Sequence, residues 1–340
     1  MENRKEKVVY LSIINIMATV FVIMLHCNFS NIYNHESSIF PFGCFIEALC
    51  YCAVPLFFMI SGATILDYSD KYSTKVFLIK RIKKVGIPFL FWGGVSVIYA
   101  FAISSSNKPS GLFEALIGIA GGKYLVPYWY MPCLMFLYIF YPFFSCFKGN
   151  KRVAAKRIII ISFFIICLGF ILLLVKGISF DKVYILYFFY VTLGYYLNKY
   201  EIPIIVKKII YSLAIEGFGF LFLGTLLLSY RTGSYNTVFL SYLNIPCCLY
   251  SAGLFLLIKE WSLKNNIVLP KELDTISNCS FGIYLTHWYF ISILDKLLSL
   301  VGYNINSILV FIIKVLCSFT LAFMLSWLFK KNKMLRNIIP

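Results

Sequence analysis

Apolar stretches long enough to cross a lipid bilayer recur along almost the whole of this 340-residue chain. A membrane-spanning helix needs about 20 mainly apolar residues, and hydropathy together with turn residues marks ten such segments. They lie near residues 8–29, 42–66, 85–104, 125–147, 158–176, 182–198, 206–229, 239–258, 279–300 and 306–329. Only short loops remain between them, so we predict an all-α, polytopic integral membrane bundle of about ten helices.

The composition excludes the other fold classes. Hydrophobic residues make up 61% of the chain and charged residues 13%, whereas soluble globular proteins have about 45–50% apolar and about 25% charged residues. Disorder is excluded because disordered segments are rich in charge and poor in aromatics, and this chain is 19% aromatic. We therefore expect one membrane-embedded domain over residues 1–340, with no appended soluble domain before the chain stops at Pro340.

Lysine and arginine are distributed unequally between the loops on the two sides. If the N-terminus is cytoplasmic, 24 of the 31 basic residues fall on inside segments, six on outside loops, and Lys314 within the last span. Cytoplasmic loops carry such an excess, so both termini are predicted to be cytoplasmic. The net charge of +17 then indicates topology and contact with the lipid bilayer, and we expect no nucleic acid partner.

The cysteines predict neither a metal site nor a disulfide framework. Almost all of the eleven lie in apolar segments, where a thiol behaves as a small hydrophobic group. No pair of CxxC motifs has zinc-like spacing. We expect no metal and no bound cofactor.

Two polar stripes at helical spacing each carry a histidine. The stripe in the first span consists of Ser12, Asn15, Thr19 and His26, and that in the ninth consists of Ser280, Tyr284 and His287. Ionisable groups inside a membrane are costly, face the bundle interior and mark functional sites. His26 and His287 are therefore candidate catalytic residues, although hydrogen bonding between helices is an open alternative for His26.

Acidic residues and one basic loop supply further candidates. Glu47, Glu216 and Asp295 lie within or beside predicted spans, where a carboxylate either contacts a polar substrate or faces interfacial water. We take Glu47 as a candidate substrate contact. Lys80, Arg81 and Lys84 belong to the densest basic run, which either binds phosphate groups or only orients the protein on anionic lipid.

Several segments resemble signature stretches of the membrane acyltransferase-3 family. The two most specific are VPLFFMISG at residues 54–62 and SFGIYLTH at residues 280–287. Weaker matches are KRIKK at 80–84 followed by IPF at 87–89, YWYM at 128–131 and GYYL at 194–197. The resemblance covers essentially the whole chain.

The resemblance implies a ten-helix membrane enzyme that takes an acyl group, usually acetyl, from cytoplasmic acyl-CoA. The acceptor is commonly a hydroxyl of a surface polysaccharide or of its lipid-linked precursor. Acetyl-CoA is then a co-substrate and not a cofactor. We expect a stand-alone, multi-pass O-acetyltransferase in the plasma or inner membrane of a bacterium.

Residue roles follow from the same resemblance. His26 matches the family's proposed catalytic base, at the end of an Arg-x10-His pattern, and Arg81 and Lys84 match a basic motif proposed to meet the CoA phosphates. Asn15 stands where the family usually has arginine, and an amide donates hydrogen bonds but carries no charge. Lys84 replaces another arginine and lacks its bidentate geometry.

The expected reaction is direct transfer, because no serine, cysteine or threonine lies in a recognisable nucleophile motif; a transient acyl-histidine is an open alternative. His26 deprotonates the acceptor hydroxyl, while His287 and Tyr284 line the pocket and stabilise the oxyanion. Asn15, Tyr284 and Glu47 are the expected substrate contacts. Two alternatives stay open: a carrier or flippase without chemistry, and a degenerate family member that acts as an envelope partner protein.

Overall fold

The computed structural model describes residues 8–28, 35–103, 108–147, 149–301 and 307–339. Within them the chain forms fourteen α-helices and no β-strand. They are α1 Val9–Cys27, α2 Phe40–Cys50, α3 Ala53–Ile65, α4 Thr74–Arg81, α5 Ile87–Ala102, α6 Leu112–Ala120, α7 Tyr130–Ser145, α8 Lys151–Lys176, α9 Phe188–Lys199, α10 Ile204–Gly219, α11 Thr225–Thr232, α12 Ile245–Lys264, α13 Lys271–Leu300 and α14 Ile308–Lys331.

Six helical segments among the described residues are long and apolar enough to cross a membrane. They are Val9–Cys27, Phe40–Asp70, Thr74–Ala102, Lys151–Lys176, Ile204–Thr232 and Ile308–Lys331. Helices also overlap the other four predicted spans. The all-α membrane class is confirmed for the described residues, whereas ten crossings and cytoplasmic termini stay predictions. The basic N-terminal residues 1–7 and Pro340 lie outside the described residues.

The first helix lies at the centre of the bundle. α1 packs against α2, α3, α12, α13 and α14, which explains why this apolar helix also carries a polar stripe. We call the end of the bundle where α1 begins the proximal end, and the end where it terminates the distal end. The side chains that α1 presents to α13 therefore lie inside the protein and not toward lipid.

Two glycines bring α3 and α9 into close contact. A Cβ atom at Gly62 would lie 1.8 Å from the carbonyl oxygen of Val191, and one at Gly194 would lie 2.1 Å from that of Met59. Small residues allow membrane helices to approach this closely. The two glycines fix how α3 and α9 cross, and α3 in turn packs on α1.

The second predicted span is interrupted between α2 and α3. Pro55 has no N–H to donate to the carbonyl of Tyr51, four residues earlier, and the chain forms a turn at residues 51–52. The helix resumes as Leu56 donates to the carbonyl of Cys52 at 2.9 Å. This break places the half-buried Tyr51 at the wall of a cavity.

Candidate active site

The two histidines of the polar stripes meet inside the bundle. The imidazole rings of His26, near the distal end of α1, and His287, on α13, stack with centroids 5.4 Å apart and planes inclined by 27°. The rings of Trp288 and His26 pack edge to face with centroids 5.1 Å apart, and His287 has no solvent exposure. Both histidines thus lie inside the bundle, as the stripes predict, and the contact between them is a new finding.

Backbone carbonyls fix the tautomer of neutral His287. Its Nδ1 lies 2.6 Å from the carbonyl oxygen of Tyr284 and 3.2 Å from that of Ile283. A carbonyl oxygen only accepts hydrogen bonds, so Nδ1 carries the proton and donates it. Nε2 then holds a lone pair, and this buried atom has no hydrogen-bond partner among the described residues. An imidazole in this state is arranged to accept a proton.

A cavity of about 210 Å³ lies on the proximal side of the histidine pair. Its wall includes Asn15 of α1 and Ser277, Ser280 and Tyr284 of α13. We call it the α1/α13 cavity. Seven residues of helix separate Ser277 from Tyr284, or roughly 10 Å. The cavity therefore ends about one helical turn before His287, and its lining includes neither histidine.

Asn15 joins α1 to α13 along this cavity. Its Nδ2 donates to the carbonyl oxygen of Ser277 at 2.9 Å and lies 3.3 Å from the Ser277 hydroxyl. The eleven residues of α1 from Asn15 to His26 span roughly 16 Å. The structure therefore does not bring Asn15 to the histidine pair, and it places Asn15 at the opposite end of the cavity.

The predicted phosphate-binding residues are separated from one another. The guanidinium of Arg81 lies 5.8 Å from the ring centroid of Tyr138, which lines the α1/α13 cavity. Its Nε is buried and has no hydrogen-bond partner among the described residues. Lys80 instead lies 3.8 Å above the ring of Tyr72, and Lys84 is exposed. Only Arg81 is placed beside the cavity.

Glu47 is buried and not exposed to interfacial water. Its carboxylate accepts a hydrogen bond from Nδ2 of Asn28 at 3.1 Å, and the same nitrogen donates to the carbonyl of Gly43 at 2.8 Å. Asn28 immediately follows α1, two residues after His26. Glu47 therefore helps to hold the end of α1. Sequence analysis missed Asn28, although a polar residue at the end of an apolar helix is a recognisable signal.

An ion pair between a buried lysine and a partly exposed aspartate holds the same end of α1 from the other side. Lys314 of α14 is only 3% exposed, and its Nζ lies 2.6 Å from Oδ1 of Asp295 on α13. The same Nζ lies 3.5 Å from the carbonyl oxygen of Cys27, the residue after His26. Sequence analysis noted both charges but did not pair them. Glu216, the third membrane acid, is exposed on α10.

Tyr284 lies between the α1/α13 cavity and the histidine pair. Its ring centroid is 6.0 Å from that of His287, and its side chain lines the cavity. Its hydroxyl donates a hydrogen bond to the carbonyl oxygen of Pro127. The predicted oxyanion donor is therefore close to the pair, but its proton is already engaged by the backbone before α7.

Comparison with known proteins gives one match. Residues 8–327 match the model of the acyltransferase-3 family, which is described as an acyltransferase domain. No curated protein and no solved structure matches the chain. The match covers almost the whole chain and includes both histidines, Asn15, Glu47 and Arg81.

Proposed function

Because this chain belongs to the acyltransferase-3 family, we propose that it transfers an acetyl group from cytoplasmic acetyl-CoA to a hydroxyl of a cell-surface carbohydrate or its lipid-linked precursor. The single observation that carries the proposal is the stacked pair of His26 and His287 inside the bundle. Ionisable side chains at such depth are costly and mark sites of function. The proposed setting is the plasma membrane of a bacterium, with both termini in the cytoplasm.

In the proposed reaction, His26 removes the proton from the acceptor hydroxyl as its oxygen attacks the thioester carbonyl carbon. The new C–O bond forms, the C–S bond breaks, and the CoA thiolate takes the proton from the imidazolium. Two charged imidazoles stacked at 5.4 Å would repel each other, so only one of the two rings is an imidazolium at a time. The unpartnered Nε2 of His287 is the second place where that proton can reside.

This arrangement changes the expected role of His287. A neutral His287 cannot donate to an oxyanion from Nε2, because its proton is on Nδ1 and points to two carbonyls. We therefore assign His287 to proton transfer with His26. Tyr284 remains the proposed oxyanion donor, and it would have to exchange its hydrogen bond with Pro127 for one with the reacting carbonyl.

The α1/α13 cavity is the proposed path of the acyl donor. Its lining is largely apolar, with serine and asparagine side chains along α13 and α1, and such a wall suits a flexible arm that contains amides. Arg81 lies beside its wall and can meet phosphate groups. Asn15 would then contact the flexible arm of the donor through its uncharged amide. It would not contact the reacting group, and it has no charge to offer.

The test compares O-acetyl proton NMR signals of surface polysaccharide from wild-type cells, a deletion strain, and the deletion strain complemented with His26→Ala. We expect the acetyl signal to disappear on deletion and to remain absent with His26→Ala, while the variant protein reaches the membrane at the normal level. Equal signals in all three strains would contradict the proposal. Consumption of acetyl-CoA by purified protein distinguishes an enzyme from a carrier or an inactive partner protein.

A further inference from the structure

The distal end of the bundle contains a second pair of cavities. One, of about 350 Å³, is lined mainly by aromatic residues that include Tyr51, Trp129 and Tyr242, together with the charged residues Asp181 and Lys182. The other, of about 390 Å³, is lined by the same Asp181 and by polar residues that include Asn236. Because Asp181 lies in the wall of both, the two cavities are neighbours, and we call them together the distal groove. The assigned roles of the histidine pair and the α1/α13 cavity do not involve this groove.

Flat aromatic faces dominate the first half of the groove. The rings of Tyr51 and Tyr242 stack at 4.5 Å with an angle of 18°, and those of Trp129 and Tyr242 stack at 5.5 Å with an angle of 24°. All three side chains are half-buried. The faces that these rings turn toward one another are covered, and the Tyr51 hydroxyl donates to the carbonyl oxygen of Leu240 at 2.8 Å. A ligand therefore meets the remaining exposed ring surface, which is apolar. A ligand with a flat, apolar side fits this surface.

Hydrogen-bonding groups dominate the second half. The Asp181 carboxylate accepts from the hydroxyl of Ser179 at 2.8 Å and from that of Ser241, which joins the loop before α9 to the loop before α12. A carboxylate has about four lone-pair sites, so two hydroxyl donors leave room for ligand hydroxyls. Asn236 and Thr237 line the same half. Hydroxyl-rich ligands match this wall.

An aromatic partition separates the distal groove from the α1/α13 cavity. Trp129 lines the groove, and the next residue, Tyr130, lines the cavity. Tyr130 contacts Tyr284 with ring centroids 5.7 Å apart, and Tyr284 lies beside His287. The groove therefore approaches the histidine pair from the distal end, opposite to the proposed path of the acyl donor.

We propose that the distal groove is a saccharide subsite, which binds the sugar residues next to the one that is acylated. A pyranose ring has an apolar face for the aromatic stack and hydroxyls for the wall around Asp181. Each half of the groove lies within the usual range of about 300–1,000 Å³ for small-ligand sites, so the groove accommodates more than a single sugar. The inference rests on the proposed function, and it predicts that an oligosaccharide is a better acceptor than its monosaccharide.

The kinetic test uses purified full-length protein in nanodiscs with radiolabelled acetyl-CoA. The acceptors are size-fractionated oligosaccharides from the host's surface polysaccharide and the monosaccharides from their complete hydrolysis. We expect Trp129→Ala to raise the KM for oligosaccharide by about three- to tenfold and to leave the KM values for monosaccharide and acetyl-CoA unchanged. Trp129→Phe should restore most of the oligosaccharide KM. Trp261→Ala, at an exposed tryptophan of α12, is the matched control.

A binding measurement separates failure of the subsite from failure of the proposed function. Calorimetric titration of the same oligosaccharides is performed without acetyl-CoA, with an oligopeptide of similar size as competitor. Binding that Trp129→Ala weakens supports the subsite even if no acetyl transfer occurs, in which case only the proposed function falls. The subsite is overturned if Trp129→Ala affects both acceptors equally, if wild-type protein binds no oligosaccharide, or if only the peptide binds.

Discussion

The two ends of the bundle differ in the chemistry of their cavities. At the proximal end, the α1/α13 cavity has largely apolar walls with neutral polar groups such as Asn15, and the positive charge of Arg81 lies beside it. At the distal end, the groove combines stacked aromatic rings with the carboxylate of Asp181 and the neighbouring Lys182. The histidine pair lies between them, near the distal end of α1.

This difference indicates how one membrane protein can serve two unlike substrates. A phosphate-bearing donor suits the proximal end, where arginine is available, and a hydroxyl-rich acceptor suits the distal end. If the comparison is correct, substitutions at the two ends should change different kinetic constants, whereas substitutions in the histidine pair should lower the rate with every substrate. Two of the four predictions test this division, and the other two test the structure at the distal end.

The largest effect is expected at the histidine pair. Asn at position 26 has a similar size but cannot act as a base, so His26→Asn should lower the rate of acetyl transfer by about 10²–10⁴-fold. His287→Asn should also lower it, because the second proton acceptor is lost. The measurement is the initial rate in isolated membranes, normalised to the amount of inserted protein.

A third histidine gives the matched control for this experiment. His35 lies in the turn before α2, and His35→Asn should leave the rate unchanged. If His26→Asn stays active while His287→Asn is inactive, the base is His287. If both variants stay active, the histidine pair has no role in proton transfer, and the reaction does not take place between the two ends as proposed.

The next effect concerns stability at the distal end of α1. Asp295→Asn leaves the buried Lys314 without its ion-pair partner, and loss of one partner of a fully buried pair costs about 3–5 kcal/mol. Because Asp295 is 42% exposed, we expect a smaller loss, about 2 kcal/mol. Lys314→Met removes the buried charge and should cost less. Thermal unfolding of the purified variants measures both losses of stability. A loss in Lys314→Met equal to or larger than that in Asp295→Asn would contradict the prediction.

A smaller effect is expected from the basic residues of the proximal end. Arg81→Ala should raise the apparent KM for acetyl-CoA by roughly tenfold and leave the acceptor KM unchanged, because the guanidinium lies beside the α1/α13 cavity. Lys84→Ala should have little effect, since Lys84 is exposed. An unchanged KM for acetyl-CoA in Arg81→Ala would return this loop to a role in membrane orientation.

Sequence periodicity predicted which faces of α1 and α13 are polar, because the 3.6-residue repeat reports a shared face of one helix. It could not predict that His26 meets His287, since contacts between helices depend on how the whole bundle packs. The close crossing at Gly62 and Gly194 is one such determinant. Glu47 shows the same limit, because its hydrogen-bond partner Asn28 comes from the end of a different helix, α1.

The distal groove was harder to anticipate from the sequence. Tyr51, Trp129 and Tyr242 come from three separate segments, and aromatic residues are so common in this chain, at 19%, that none of the three stands out. Asp181 joins two loops through Ser179 and Ser241, and no local pattern connects these loops. The site is therefore visible only once the helices are packed.

The smallest predicted effect concerns the pH dependence of hydrogen bonding in the distal loop that contains α6. The backbone N–H and hydroxyl of Ser110, together with the ammonium of Lys123, lower the pKa of Glu114 to about 2. The ionised form therefore persists in the folded loop below the usual glutamate pKa of about 4.3, and its stabilisation is lost only as the pH falls toward the lowered value. Hydrogen exchange of the Ser110 amide, corrected for its intrinsic pH dependence, should show constant protection from about pH 5 to 8. Glu114→Gln should reduce that protection at every pH without changing acetyl transfer, and a wild-type loss of protection near neutral pH would contradict the assignment.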